Sequence, residues 1–567
     1  MRLLLRSVLL ALFSTATATS SAALQSAREP VYIDPSSSTV RTDLRIASEG
    51  ELSVVAYVPN VAAPYGNELR VSVSNGRGLD WSDPIDVSTD GVTTFSRINL
   101  SHRTTECLHI VGGKVYLGFM AETDTISETA AFVRLAVDLD APVPVTVEEL
   151  NSVATAETAR DFAMDVSQGT SGVNVHFVVN TNFFLSGTGP LIAISSTDGG
   201  STFGAPTTLL ANTANAGSVV AFGDRAVTAF GIPSGLRLRS TADAGLDGWS
   251  TSSDLAATSM VFSAPILAAR ENATAVVWAQ YDQPVQAALV DVDLDPLAST
   301  ASLSSSFGEA FCAGFAANGN VIVSAVGDAV TTNADPFVSV SDDLGLSWTS
   351  TGLTPNSGIF NLPSLAIDGD NVAVLWNRGA DDKVYAVSSL DGGDTFSASV
   401  ELYHGDVNFG VQEVHAAYND LYDNVLGVWS ADEFAVNAYA PVVGGYRIQT
   451  LTPVGFDPAL ATWHFDLSQF AGGASLGAVF VSASVGSTPL ALGPLRDLGL
   501  APDALFLLSV SEIVGALGTS LVSGAGSTPD FPNSLPSGLT MYAVGVSLEP
   551  GSGTIGQITD VQEVTTQ

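Results

Sequence analysis

Five carboxylates recur at one structural position along the chain. Asp43, Glu106, Asp161, Glu309 and Glu413 each stand at the start of a short apolar run with the look of a β-strand, and Arg45, His109 and His415 follow within the same runs. If those strands share one axis, the five acidic groups gather at one rim and form a polar pocket; strand-end carboxylates left in solvent are the alternative. Other chemistry lacks its signature. The chain has no Gly-x-Ser-x-Gly, no His-Glu-x-x-His, no phosphate-binding loop and no zinc-ligand spacing, so no metal or cofactor is expected. His102, His109, His176, His404, His415 and His464 are scattered, as ordinary strand or loop histidines would be.

The strands that must carry this rim repeat every 45–60 residues or so from Val31 to Tyr439, the kind of period that marks arrays and propellers. The most legible copy in each unit is Val54–Val58, Val115–Phe119, Val175–Val179, Ala226–Phe230, Ala275–Ala279, Val321–Ala325, Val372–Trp376 or Val425–Trp429. Their β-branched, apolar and aromatic content argues strand. A shorter strand and polar turn precede each copy, and two more strands follow. Four short strands per unit is the pattern of a β-propeller. The last unit lacks an evident fourth strand, and Val31–Asp34 reads as a fourth strand with no first three. Pairing the two would close the ring and remove exposed edges. The count is eight blades, with six or seven as the alternatives if the second and fifth units are misread.

Between the third and fourth strands a phrase returns. Ser196-Thr-Asp198-Gly-Gly200-Ser-Thr-Phe203, Ser341-Asp-Asp343-Leu-Gly345-Leu-Ser-Trp348 and Ser389-Leu-Asp391-Gly-Gly393-Asp-Thr-Phe396 share one grammar; Thr241-Ala-Asp243-Ala-Gly245-Leu-Asp-Gly-Trp249 carries one extra residue, and Ser74–Trp81 has Gly76 where Asp belongs. Asp and Ser/Thr side chains bond the backbone of their own turn, Gly supplies a positive φ, and the aromatic residue anchors the hairpin in the core. The phrase resembles the Asp box, or bacterial neuraminidase repeat, of the sialidase-like β-propellers. The resemblance implies a structural role for the boxes, on the face away from the ligand site. Leu44-Arg45-Ile46 is similar to that family's Arg-Ile-Pro phrase, with Ala47 in place of Pro. There the arginine belongs to a triad that grips a carboxylate by bidentate pairing. Arg160, Arg225, Arg270 and Arg378 are the candidates for its partners, though Arg225 and Arg270 fall near the wrong ends of their strands. The family's Tyr nucleophile and Asp acid/base suggest Tyr403 and Asp90. With the triad incomplete and no Tyr–Glu pair in view, the resemblance points to a propeller that binds glycans or surface partners; an exo-sialidase-type retaining glycosidase is the alternative.

Residues 1–23 show a basic start, a short apolar core and a Ser/Thr/Ala stretch, the pattern of a secretory signal peptide, which predicts a secreted, cell-surface or periplasmic protein. Of 567 residues, 58 are Asp or Glu and 20 are Lys or Arg, giving a net charge of −38. Such a surface disfavours nucleic acid and anionic membranes. No stretch after the leader is long and apolar enough for a membrane helix. Cys107 and Cys312 sit in the second and sixth units, too far apart across a ring for a disulfide, so both are expected as free thiols. The propeller is assigned to residues 29–443. Residues 446–567 lack boxes and read as a β-sandwich accessory domain, with Leu498–Leu508 a possible short helix; the oligomeric state is not legible.

Overall fold

The computed structural model describes, in the first of two compact units, residues 31–34, 39–59, 68–75, 81–88, 97–100, 107–122, 128–153, 159–181, 189–213, 217–232, 235–245, 248–250, 253–256, 264–280, 283–327, 335–353, 363–378, 383–404, 414–419, 424–432 and 439–447. Elsewhere it describes only short strands. The described residues are all strand, turn and bend, with no helix.

The architecture is an all-β propeller. Among the described residues up to Arg447, its strands form six hydrogen-bonded sheets. A representative set runs Ala159–Gln168, Val173–Thr181, Gly189–Ser196 and Thr207–Thr213, each antiparallel to the next. The innermost strands are Thr39–Glu49, Leu108–Val111, Ala159–Gln168, Gly217–Phe222, Ile266–Arg270, Ala301–Phe315, Ser364–Asp368 and Val414–Asn419. Each packs against the next in chain order, and Val414–Asn419 returns to Thr39–Glu49. All of the legible runs of the sequence are the second strands of these sets. They are the most buried because neighbouring sets cover both faces: Leu52–Pro59 and Ala273–Trp278 are buried throughout.

Two sheets contain more than one set. Ala301–Phe315 is a single 15-residue strand whose first residues pair with Gln286 and Ala287, while its second half pairs with Val321–Gly327. The eight-stranded sheet joins the last set to the first. In it Val31 and Tyr32 pair with Val443 and Val442, so an N-terminal strand completes the last set, and Thr39 pairs with Tyr439. The second set is irregular. Arg97–Asn99 and Leu108–Val111 both pair with Lys114–Glu122, so two short strands share its inner edge.

The second unit comprises residues 449–488 and 498–567 by its internal contacts, while 489–497 groups with the propeller. Its strands form a three-stranded sheet (Thr452–Asp457, Thr462–Asp466, Asp530–Pro532) and a five-stranded one around Leu476–Ser482 and Thr540–Leu548. The stretch Leu498–Leu508 lies outside the described residues.

Candidate functional site

The recurrent turns are built alike. Ser196 Oγ donates to Asp198 Oδ1 at 2.7 Å and accepts from the Gly200 N–H at 2.8 Å; the carboxylate then accepts from the N–H and hydroxyl of Thr202 at 2.9 and 2.6 Å. Ser341, Asp343, Gly345 and Ser347 repeat this, as do Ser389, Asp391, Gly393 and Thr395. In the fourth copy Thr241 bonds Asp243 and Gly245 in the same way. Partial burial raises the pKa of Asp198 and Asp391, but the hydrogen bonds from hydroxyls and N–H groups outweigh it and hold both below the usual carboxylate range. The glycines need their lack of a side chain: Gly200 sits at φ +84° against the Phe132 ring, where a Cβ has no room. Trp348 and Phe396 pack into the cores beside their turns, and Phe203 packs on Phe132 and Phe177. Residues 76–80 of the degenerate copy lie outside the described residues.

These turns share one face with the turns between first and second strands, because strand direction alternates within each set. The opposite face holds the entries to the innermost strands and the loops between second and third strands. Of the predicted rim residues there, Asp90, Glu106 and Glu413 lie outside the described residues; Asp43 is on Thr39–Glu49, but its side chain is not described. Asp161 and Glu309 are half-buried on innermost strands, and the Asp161 carboxylate accepts from the Phe162 N–H at 2.9 Å.

Arg45 is 3% exposed. Its neighbours Leu44 and Ile46 face the core shared with the last set, so alternation turns Arg45 the other way. Its Nη1 lies 3.1 Å from His415 Nε2 and Nη2 donates to the Leu100 carbonyl at 3.4 Å, so Arg45 links the first set to both the last and the second. A cavity of about 210 Å³ is lined by His109, Asp165, Val219, Leu267, Phe311 and Cys312 among others. His109 Nδ1 is 3.5 Å from Asp165 Oδ1. Asp165 also accepts from the Val166 N–H at 2.8 Å and from Ala221 N–H at 2.7 Å, so one carboxylate ties three innermost strands. Imidazole, guanidinium and carboxylate groups on the innermost strands are therefore paired with one another.

Tyr403 corrects the reading of its neighbourhood. It lies on Val400–His404, the outermost strand of its set, and its ring packs 5.4 Å from that of Trp429, centroid to centroid, in a buried core. The sequence places it beside a loop but cannot say which way the strand faces. The structure does not bring it to Arg45 on an innermost strand. Arg225 and Arg270 do not converge on Arg45 either. Arg225 donates to the Asp291 carbonyl, and Arg270 donates to the Gly319 carbonyl and lies over the Phe315 ring, both at the turn face. Arg378 ends a second strand, opposite Lys383; the Arg160 side chain is not described. Cys107 and Cys312 are free, the first buried and the second half-buried.

Sequence reasoning missed His176. It lies opposite Ser195 in register, shares a 2.9 Å hydrogen bond with that hydroxyl through Nδ1, and meets the Trp249 ring edge-on. Complete burial holds its pKa down at about 4, so the imidazole is neutral at pH 7. Only the strand register reveals the pair. Among the described residues, no cluster of three His, Cys, Asp or Glu groups could hold a metal ion, and no helix is long and apolar enough to cross a membrane.

No protein-family profile and no curated protein sequence matches the chain. Among solved structures it is similar to an ulvan lyase of polysaccharide lyase family PL25 (11% identity over 73% of this chain and 95% of that one, TM-score 0.41). It is similar to the Dos1 propeller (12%, 73% and 94%, TM-score 0.42) and to the Hadza microbial sialidase Hz136 (13%, 68% and 74%, TM-score 0.32). Propellers and a sialidase thus stand among its structural neighbours, at a likeness that says nothing of activity.

Proposed function

We propose that the chain is an exported, sialidase-like Asp-box propeller of eight blades that binds glycans or cell-surface partners at the mouth of its central channel. The observation that carries this reading is the channel wall, where Arg45 meets His415 across two sets at 3.1 Å. Guanidinium and imidazole groups held this way offer directed hydrogen bonds to ligand hydroxyls or carboxylates. Four turns with the hydrogen bonding of Asp boxes support the family resemblance, and the circuit of innermost strands supports the blade count. Asp43, Glu106, Asp161, Glu309 and Glu413 then form the acidic rim, and residues 446–567 an accessory β-sandwich.

Binding is favoured over hydrolysis because Tyr403, the one nucleophile candidate, has its ring packed against Trp429 between strands. A retaining sialidase needs that phenol at the reacting carbon. The full chain, tested on a fluorogenic sialoside and on a glycan array, is expected to bind glycans without turnover. Sialoside turnover would replace this reading with the glycosidase one, and an array with no bound glycan would remove it.

A further inference from the structure

Each box glycine packs against the third strand of the preceding set, and in three of four cases the neighbour is apolar. Phe132 faces Gly200, Leu289 faces Gly345, and Val340 faces Gly393. At Gly245 the neighbour is Ser195, whose hydroxyl would stand 2.8 Å from any Cβ placed there. Ser195 in turn pairs across the strand with His176, where Val340 pairs with Ile322 and Leu289 with Ala275. A polar pair has replaced an apolar plug. The consequence is a cleft of about 530 Å³ between the turn after Gly189–Ser196 and the turn after Gly235–Thr241. That volume is within the usual range for small-molecule sites, roughly 300–1,000 Å³.

We propose that this cleft, on the face opposite the channel mouth, is a second site that takes a neutral pyranose ring. Its walls supply the two things such a ring needs. Trp249 and Phe203 provide aromatic surface for the apolar C–H face of a sugar. Ser195, Thr197 and Thr207 provide hydroxyls that donate and accept. Among the described residues, the Thr197 and Thr207 hydroxyls and the Trp249 indole N–H have no hydrogen-bond partner. His176 acts as a positioning residue: buried and hydrogen-bonded to Ser195 Oγ, it fixes where that hydroxyl points. Among the described residues, the lining carries no charged side chain. A sugar acid would lose hydration of its carboxylate here with no cation to replace it, which selects the uncharged ring. The site lies apart from the channel and takes part of its wall from the boxes, through Ser196, Thr202 and Gly245.

Saturation-transfer NMR on the full chain, with methyl glucoside, methyl galactoside, methyl rhamnoside and methyl glucuronide as probes, tests the proposal. Transfer to at least one neutral glycoside is expected, with weaker transfer to the glucuronide. The affinity should fall at least about tenfold in Thr207→Trp, which fills the cleft from a half-buried strand position, and in Trp249→Ala, while His415→Leu in the channel leaves it unchanged. If Trp249→Ala does not fold, Thr207→Trp decides alone. Absence of transfer to every neutral glycoside, transfer unaffected by Thr207→Trp, transfer lost in His415→Leu, or preference for the glucuronide would each overturn it.

Discussion

Acidification should remove stability through His176 well before the carboxylates titrate. In the unfolded chain its imidazole titrates near 6.5, while in the folded chain burial lowers the value to about 4. Between those values the unfolded state binds the proton and the folded state does not. Stability is therefore at its plateau above about pH 6.5, falls as the pH drops, and levels again below about pH 4. A depression of this size, at 1.36 kcal/mol per unit, corresponds to roughly 3 kcal/mol lost across the window. The box carboxylates Asp198 and Asp391 have lowered values, so their contribution persists until the pH falls below the usual carboxylate range. The two effects are separable. Urea unfolding of the full chain at pH 7, 6, 5 and 4, followed by tryptophan fluorescence, gives the slope. His176→Leu should flatten it between pH 6.5 and 4 while lowering stability at pH 7, because Ser195 loses its partner. An imidazole midpoint near 6.5 by NMR, or an unchanged slope in His176→Leu, would refute the reasoning.

Other outcomes follow from the turns and cores. Asp391→Ala removes the acceptor for Thr395 and Ser389 and should cost roughly 0.5–2 kcal/mol in denaturant unfolding while sparing glycan binding, since it lies neither at the channel mouth nor in the lining of the Ser195 cleft. Gly200→Ala puts a Cβ against the Phe132 ring at φ +84° and should cost about 1–3 kcal/mol, visible as a lower Tm. Thiol titration under denaturing, non-reducing conditions should find both cysteines free, with Cys312 reacting faster than buried Cys107 in the folded chain.

Much of the propeller was legible because its most buried strands are also its most apolar. Ala273–Trp278 and Asn371–Arg378 are covered on both faces, so burial writes a continuous run into the sequence. The box turns were legible because their hydrogen bonds are local: Ser389, Asp391 and Thr395 lie within seven residues. The closing strand could be inferred from a missing partner, and Val31–Tyr32 does pair with the last set. What escaped depends on contacts distant in sequence. The sequence placed His415 on the last innermost strand, but its approach to Arg45 spans 370 positions. His176 looks like any strand histidine until the register sets it opposite Ser195. Tyr403 looked available because a sequence shows the loop beside it, not Trp429 beneath it. The pairing of both Arg97–Asn99 and Leu108–Val111 with one second strand has no signature that periodicity could show.

The channel reading stands or falls on one comparison, glycan-array binding of the full chain beside His415→Leu. This substitution removes the imidazole next to Arg45 and leaves the boxes and the Ser195 cleft intact. With the Ser195 cleft filled by Thr207→Trp in both proteins, the account predicts a defined set of bound glycans for the parent chain and at least about tenfold weaker signals for the variant. Equal binding by the two proteins, or no binding by the parent, would contradict a ligand site at the channel.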